Sequence, residues 1–459
     1  MPNVSGKRPG KKKASKQSAH NGVVRGAVRA APKARGREPE VVEFEERGER
    51  RALSHVGGRV EFRGSDETLR PGLERALDVT SDEDVVRAHV HGFHSYPARL
   101  HPETARGLIE ALSEPGQTVL DPFCGSGTVL VESALAGRRA LGVDVNPLSV
   151  LLARVKCAKT TTEEREAILD AADQVATSAD DRRVERQGPT HQYPPADRAW
   201  FDIHVLLELD GLRAAIERIK EPKLRLPLDL AFSSVLTKVS RRAADTARRE
   251  HQKRIASGFT IRHFVERCEE LVERMREFSE LCDKTPEVYV FEGDARKLTQ
   301  VKDHSCHLVV SSPPYPGVFD YLDHHELRLR WLGMKSADFA KTEIGARRQM
   351  GALRDLGLAR WKSDLTQVLL AMHRVLAKGG RAALVIADSV VGREALYADE
   401  LLTELAPKCG FEVKEIASQR RPYFHKPTER AFEGRARKEH VVVLEPSAST
   451  LTKPKRAPR

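Results

Sequence analysis

The stretch VLDPFCGSGTVL at 119–130 constrains the fold more than any other part of this chain. An apolar, strand-like run ends at Asp121, a turn with two glycines follows, and a helical pattern begins at Thr128. Glycine adopts positive φ without strain and has no side chain, so such a turn lets a ligand approach the backbone closely. A strand, a tight turn and a helix in this order form one unit of an α/β protein, in which helices cover both faces of a parallel sheet.

The alternation of strand and helix patterns continues after this turn and predicts a doubly wound, Rossmann-like α/β sheet of seven strands. Between the second and third strands, dense charge and helical periodicity over 161–284 predict one large helical insertion. The predicted strands are 117–121, 139–144, 287–292, 307–311, 381–387, 411–416 and 440–444, and the predicted helices are 102–112, 128–136, 147–156 and 361–376, the last ending at Gly379–Gly380.

Charge divides the chain into further regions. The segment 1–37 holds eleven Lys or Arg, no Asp or Glu, and few large apolar residues, so we predict a disordered basic arm that attracts phosphate. A solubilising tail is the alternative interpretation. Residues 38–87 show no clear period and form a poorly defined lead-in, and 446–459 is a second basic tail. The sheet is then expected from 88–160 and 285–445.

Composition excludes some classes of protein. No run approaches eighteen apolar residues, which excludes a membrane-spanning helix, and the polar N-terminus is unlike a secretory signal. The six cysteines form no C-x-x-C pair, which argues against a zinc site and a disulfide scaffold. We therefore expect a cytoplasmic protein without a metal.

Two better-known glycine turns do not fit this one. A dinucleotide fingerprint needs glycine at position 130, where Leu130 stands, and a phosphate-binding P-loop needs a Lys that is absent. Acidic residues stand at the ends of the next two strands. Asp144 ends the second strand and is placed to accept hydrogen bonds from a ribose diol, and Asp294 follows the third and is placed to accept from an adenine amino group. Helix capping is the alternative role for each carboxylate taken alone.

The fourth strand runs into Ser312-Pro313-Pro314-Tyr315. Two prolines stiffen the backbone and leave their carbonyls without donors from the loop itself. A fixed carbonyl together with the Ser312 hydroxyl would accept hydrogen bonds from an amino group and stabilise the positive charge that develops on its nitrogen. Tyr315 offers a face on which a base would stack. Taken alone, this motif is better explained as a proline-rich strand exit.

The pair DPFCGSGT at 121–128 and SPPY at 312–315, in this order, resembles the amino-group DNA methyltransferases that make N4-methylcytosine or N6-methyladenine. The segment HGFHSYPAR at 91–99 resembles the element that precedes the glycine turn in that family. The resemblance implies a class I methyltransferase sheet with S-adenosylmethionine as the cofactor and DNA as the partner. It places the cofactor on Asp121, Phe123, Gly125, Gly127, Thr128, Asp144 and Asp294, and the target amino group on Ser312, Pro313, Pro314 and Tyr315.

The resemblance leaves the target open. Serine before the two prolines leans toward cytosine N4, whereas aspartate or asparagine there leans toward adenine N6 or RNA. Cytosine C5 chemistry is excluded, because it needs a cysteine nucleophile that typically follows a proline and the chain has no Pro-Cys dipeptide. The alternatives are adenine N6, guanine N2 of transfer RNA, and an inactive relative that only binds nucleic acid. A restriction-modification role and association with the nucleoid follow from the leading interpretation.

A base inside a duplex cannot reach such a pocket, so the interpretation requires base flipping. Recognition of DNA is expected from the helical insertion or from residues 316–360. In the insertion a basic run offers five candidate phosphate contacts, although ion pairs along a solvated helix face explain the same run equally well. These candidates are Lys238, Arg241, Arg242, Lys253 and Arg254.

Overall fold

The computed structural model describes residues 58–79, 82–242, 253–350, 354–423 and 426–447. The predicted arm at 1–37, the lead-in before residue 58 and the basic tail beyond Ser447 lie outside these residues. None of the helices in the described part of the chain is long and apolar enough to cross a membrane.

The main sheet has eight strands, and a separate two-stranded hairpin follows its β6 strand. In the main sheet the spatial order is β1-β9-β10-β6-β5-β2-β3-β4. The strands in chain order are β1 (Glu61–Gly64), β2 (Thr118–Asp121), β3 (Arg139–Asp144), β4 (Val288–Glu292), β5 (Cys306–Ser311), β6 (Leu376–Ala387), β7 (Ser389–Val391), β8 (Glu394–Leu396), β9 (Phe411–Arg420) and β10 (Lys438–Pro446).

Fifteen α-helices are assigned in the described residues. They are α1 (Arg70–Leu77), α2 (Glu83–Val86), α3 (Pro102–Leu112), α4 (Thr128–Leu135), α5 (Pro147–Lys156), α6 (Thr162–Val184), α7 (Pro195–Trp200), α8 (Ile203–Ile216), α9 (Pro222–Val239), α10 (Phe259–Leu281), α11 (Tyr321–Trp331), α12 (Ala337–Thr342), α13 (Arg354–Val375), α14 (Ala398–Lys408) and α15 (Lys426–Ala431).

The prediction of an α/β sheet wound in both directions is confirmed, but the count of seven strands is wrong. From β2 the chain moves outward through β3 and β4, and then returns to the other side of β2 to add β5 and β6, all in parallel. β10 runs antiparallel between β6 and β9. The eighth strand, β1, pairs antiparallel with β9 and comes from the segment that showed no period in the sequence.

Helices cover the sheet on both faces because the central strands are apolar on both faces. In β5, Leu308 and Val310 pack into a core that includes α1 and α3, whereas Val309 packs into the core with α13 and α14. Helix α13 begins at Arg354, before the predicted start, and ends at Val375. The glycines Gly379 and Gly380 lie inside β6 and do not end the helix as predicted.

All the α-helices assigned in the described part of 161–284 are α6 to α10. They share one apolar core with α5 of the sheet domain and with Trp331 at the end of α11. Each of these five helices therefore packs around a common centre that includes the sheet domain's own residues. The order β4-β3-β2-β5 leaves a crevice where the chain reverses direction at β2 and β5, which is where ligands bind in open α/β sheets.

Candidate active site

An open cavity lies at the carboxyl ends of β2, β3, β4 and β5. It brings together the three carboxylates that the sequence places at strand ends. The predicted site residues that line it are Asp121, Phe123, Gly125, Thr128, Asp144, Asp294, Ser312 and Pro314. Gly127, Pro313 and Tyr315 lie next to these residues in the chain but do not line the cavity.

Asp144, the last residue of β3, holds the glycine turn in place. Its Oδ2 accepts from the backbone N–H of Gly125 at 2.8 Å, and its Oδ1 accepts from the N–H of Asn146 at 2.8 Å. Burial raises the pKa of this carboxyl to about 6, and the two amides oppose the rise. Each carboxylate oxygen accepts more than one hydrogen bond, so Asp144 keeps acceptor capacity toward the cavity. Asn146, and not Asp144, is the N-cap of α5.

Asp121 joins β2 to β5 beneath the cavity. Its Oδ1 accepts from the N–H of Phe123 at 3.0 Å and from the Ser311 hydroxyl at 2.6 Å. Burial raises the pKa of Asp121 to about 7, although both hydrogen bonds oppose the rise. Asp121 therefore fixes the start of the glycine turn against the start of residues 312–319, which are called the catalytic loop here after their predicted role.

Asp294 is engaged by a neighbour. Arg296 donates to both of its carboxylate oxygens at 2.8–3.1 Å, and the same guanidinium donates to Asp364 at 2.7 Å. Burial alone would raise the pKa of Asp294, but the hydrogen bonds from Arg296 outweigh it and lower that pKa. The carboxylate that reaches the cavity is therefore already charge-compensated.

The two glycines of the turn have left-handed backbones, with φ of +49° at Gly125 and +86° at Gly127. A Cβ at Gly125 would lie 3.2 Å from the Tyr96 ring, and one at Gly127 would lie 3.1 Å from the Cα of Ala153. Gly127 is the N-cap of α4, which begins at Thr128. Any larger residue at either position would be strained, which explains the glycines independently of a ligand.

The catalytic loop leaves β5 with Ser312 and Pro314 toward the cavity. The Tyr315 hydroxyl lies 3.3 Å from the Ser312 hydroxyl and donates to the carbonyl of Val385 at 3.4 Å, so the ring reaches back over β6. The Pro314 carbonyl accepts from Nε1 of Trp361 at 3.0 Å, a donor that lies outside the loop.

Two segments complete the walls of the cavity. Tyr96, from the element before the glycine turn, is hydrogen-bonded to the Ser149 hydroxyl at 2.7 Å and stacks on Tyr321 with ring centroids 6.1 Å apart. The stretch 316–360 contributes its own residues, Tyr321, Phe339, Thr342, Glu343 and Ile344. Part of the region expected to contact DNA therefore contacts the cavity.

Several residues of the insertion that we predicted as phosphate contacts have partners inside the protein. Arg241 pairs with Asp202, and the Arg242 guanidinium lies 4.5 Å from the centre of the Trp200 ring. Lys253 donates to three backbone carbonyls around the end of α9, at 3.1–3.2 Å. Lys238 is half-buried and Arg254 is exposed. Arg241, Arg242 and Lys253 therefore stabilise the end of α9 and the chain that follows it.

Sequence reasoning missed Ser311, Trp361 and Glu343. Ser311 stands one residue before the motif and had a weak signal, because a polar residue closes an otherwise apolar strand. Trp361 and Pro314 are 47 residues apart, and no local period reports such a contact.

Residues 70–154 match the family model described as DNA methylase, a group of N6 and N4 methyltransferases. The chain is 27% identical to the type II methyltransferase M.MvaI of Kocuria varians over 271 residues, which cover 55% of this chain and 59% of that protein. It is 33% identical over 94 residues to the type II methyltransferase M.MjaII of Methanocaldococcus jannaschii, covering 20% of this chain and 18% of that one. The chain thus matches less than two-thirds of the length of either relative.

A transfer-RNA enzyme is also similar. The chain is 38% identical over 77 residues to the tRNA (guanine(10)-N2)-dimethyltransferase of Methanothermobacter thermautotrophicus, covering 16% of this chain and 23% of that one.

Among the solved structures that are similar to this chain is a TehB-like S-adenosylmethionine-dependent methyltransferase of Corynebacterium glutamicum. The match has 12% identity and a TM-score of 0.27, and it covers 75% of this chain and 87% of that one. The rRNA methyltransferase AviRa of Streptomyces viridochromogenes has 12% identity and a TM-score of 0.30, covering 81% of this chain and 96% of that one. Both superpositions are loose, so the fold assignment depends on the strand order described above.

Proposed function

The chain carries the core of an amino-group methyltransferase, and on that premise we propose that it transfers a methyl group from S-adenosylmethionine to the N4 amino group of cytosine in DNA. One observation carries the proposal: the strand-end carboxylates and the Ser312 end of the SPPY loop open into the same cavity, at the crevice where the sheet reverses direction. Neither half alone would distinguish this site from a structural turn.

The cavity fits the cofactor by the chemistry of its walls. Asp144 has acceptor capacity for a pair of ribose hydroxyls, and its own position is fixed by two amides. Asp294, neutralised by Arg296, suits the uncharged amino group of adenine better than a cation. Phe123, Phe339 and Ile344 supply apolar surface. Gly125, Gly127, Thr128 and Asp121 would form the turn under the cofactor.

The cofactor supplies an electrophilic methyl group when bound, and the chain's own residues arrange the acceptor. In the proposal the Ser312 hydroxyl and the Pro313 carbonyl each accept a hydrogen bond from one of the two N–H groups of the target amino group. This directs the nitrogen lone pair toward the cavity and stabilises positive charge on the nitrogen. Flipping the base costs on the order of a few kcal/mol, and stacking on Tyr315 would offset ~1–3 kcal/mol of it.

The choice of cytosine N4 rests on Ser312, and the choice of DNA rests on the family model and the type II relatives. The similarity to a transfer-RNA guanine-N2 enzyme keeps RNA as the second candidate. The type II names also suggest a partner restriction enzyme, and DNA as the substrate suggests a place on the nucleoid. Both remain proposals.

Nucleoside analysis tests the function directly. The protein would be incubated with S-adenosylmethionine carrying a labelled methyl group in two separate reactions. One contains amplified unmethylated DNA and the other contains unmodified transfer RNA. Digestion and mass spectrometry should find N4-methylcytosine in DNA alone. N6-methyladenine would correct the base, methylguanine in RNA would favour the second candidate, and no label would indicate an inactive relative.

Ser312→Asp examines the base choice further. Aspartate brings in the residue common among adenine-N6 relatives, and the rest of the pocket is unchanged. We expect cytosine methylation to fall without robust adenine methylation. A clean switch to N6-methyladenine would mean that position 312 alone sets the base.

The basic arm is proposed to add affinity for DNA without reading its sequence. Deleting residues 2–37 should leave the fold intact and weaken DNA binding most at low salt, because neutralised phosphates release counterions. An unchanged affinity and salt slope after the deletion would remove the arm from the DNA complex.

A further inference from the structure

The short segment 343–348, called the brace here, lies between the cofactor cavity and the catalytic loop. On one side Glu343 and Ile344 line the cavity. On the other side the brace is hydrogen-bonded to the loop and to the helix that follows it. The two halves of the proposed site therefore share one wall, contributed by residues that no motif includes.

Three hydrogen bonds join the brace to the chain after Pro316. The carbonyl of Gly345 accepts from the N–H of Gly317 at 3.0 Å, and the N–H of Arg347 donates to the carbonyl of Phe319 at 2.9 Å. Oε1 of Glu343 accepts from the N–H of Tyr321 at 2.7 Å. An ion pair between Arg348 and Asp320 adds a fourth connection. These contacts hold the end of the catalytic loop and the start of α11 against the brace.

Trp361 on α13 closes the arrangement. Its indole is 2% exposed, and its Nε1 donates to the carbonyl of Pro314 at 3.0 Å. The same ring lies against Gly345, where a Cβ would come within 3.0 Å of Cδ1 and where φ is +71°. The indole therefore touches the SPPY motif and the brace at once, and Gly345 leaves the space for it.

We propose that Trp361 is a positioning residue for the reaction: through the Pro314 carbonyl and the brace, it fixes the catalytic loop relative to the cofactor cavity. The reaction itself rests on the proposed function. Since misplacing a reacting group by about 1 Å can slow a reaction on the order of a hundredfold, a change at Trp361 is expected to lower turnover. Cofactor affinity should be unaffected, because Trp361 does not line the cavity.

The test is Trp361→Phe, which keeps a buried aromatic ring and removes the N–H donor. Trp331→Phe is a matched control: Trp331 is also buried, and its Nε1 has no hydrogen-bond partner within the described residues. Its ring stacks on Tyr193 with centroids 4.8 Å apart, among the helices of the insertion. The two variants make the same chemical change in two cores.

Methylation of amplified DNA should show kcat reduced about three- to tenfold in Trp361→Phe, which corresponds to one lost hydrogen bond. The KM for S-adenosylmethionine and the Kd of S-adenosylhomocysteine should stay within about twofold of wild type, and Trp331→Phe should match wild type in all three. Equal kcat in the two variants would overturn the proposal. A loss of cofactor affinity in step with kcat would also overturn it.

Hydrogen exchange read by mass spectrometry does not depend on the substrate. Peptides covering 315–321 should exchange faster in Trp361→Phe than in wild type or Trp331→Phe, while peptides of β2 and α4 are unchanged. If wild type methylates neither DNA nor RNA, the proposed function fails and exchange alone decides. Unchanged exchange at 315–321 then overturns the bracing role, and faster exchange confined to that segment supports it.

Discussion

At the carboxyl edge of the sheet, the half-buried carboxylate of Asp144 is held by two backbone amides and faces an open cavity. In the helical insertion, Lys253 donates to three carbonyls of its own region, and Arg242 lies over an indole ring. Both regions are charged, but the first keeps hydrogen-bonding capacity and the second has committed much of it to protein contacts. Charge that remains available in a cavity indicates a ligand, whereas charge that is matched within the fold indicates stability.

The same contrast separates Asp144 from Asp294 on neighbouring strands. Burial without a nearby cation raises the pKa of Asp144 to about 6, whereas hydrogen bonds from Arg296 overcome burial and lower the pKa of Asp294. In the sequence both acids stand at the carboxyl end of an apolar strand: Asp144 ends β3, and Asp294 comes two residues after β4. Under the proposed function, Asp144 would accept from the ribose diol and Asp294 from the uncharged amino group of adenine.

Among these variants, Tyr315→Ala should have the largest effect on the rate of methylation. Loss of base stacking, worth ~1–3 kcal/mol, should lower kcat by roughly tenfold to a hundredfold in methylation assays, while S-adenosylhomocysteine binds as before by calorimetry. Tyr315→Phe is the control, because it keeps the ring and removes only the hydroxyl that reaches Val385. Full activity in the alanine variant would show that the base does not meet this loop.

Asp144→Ala should follow in size. Losing charge-assisted hydrogen bonds worth ~1.5–3 kcal/mol should weaken S-adenosylmethionine at least about tenfold, as measured by calorimetric titration. Equal affinity in wild type and variant would mean that Asp144 only supports the fold. The contrast between the cavity and the helical insertion would then no longer hold.

A pH series sharpens the result for Asp144. The carboxylate is the form that accepts from hydroxyls, and its raised pKa of about 6 means that it protonates as the pH falls through that value. Cofactor affinity of the wild type should fall as the pH drops through the raised pKa values of Asp121, about 7, and Asp144, about 6. Asp144→Asn should bind more weakly at pH 8 and lose the part of this dependence that lies near pH 6. Parallel pH curves for the two proteins would assign the titration to another group.

Arg242→Ala should have the smallest effect. Losing its contact with Trp200 should lower the free energy of unfolding by about 0.5–1 kcal/mol in urea and leave DNA affinity and its salt slope unchanged. Arg254→Ala is the companion variant, since Arg254 is exposed. A salt slope reduced by about one in either variant would mean that the insertion meets phosphates.

Local patterns were sufficient for most of the fold. The observed bounds of β3, α3 and α5 are the same as those predicted from the sequence, because each element has a polar or proline boundary and an apolar interior. β1 was missed because four residues with a single apolar side chain carry no period. In the site, motifs located the acids and the loop. Trp361 and the brace depend on contacts between distant segments, which no short window of sequence contains.

The missed strand β1 has a practical consequence. It hydrogen-bonds to Glu415–Ser418 along β9, which would otherwise be the outermost strand on that side of the sheet. The family model begins only at residue 70, so a fragment cut to that boundary would lack β1 and present a row of unpaired backbone N–H and C=O groups. Exposed rows of this kind recruit strands from other molecules. Such a fragment should keep the glycine turn and the SPPY loop but aggregate more readily than the whole chain, because its β9 edge would be unpaired.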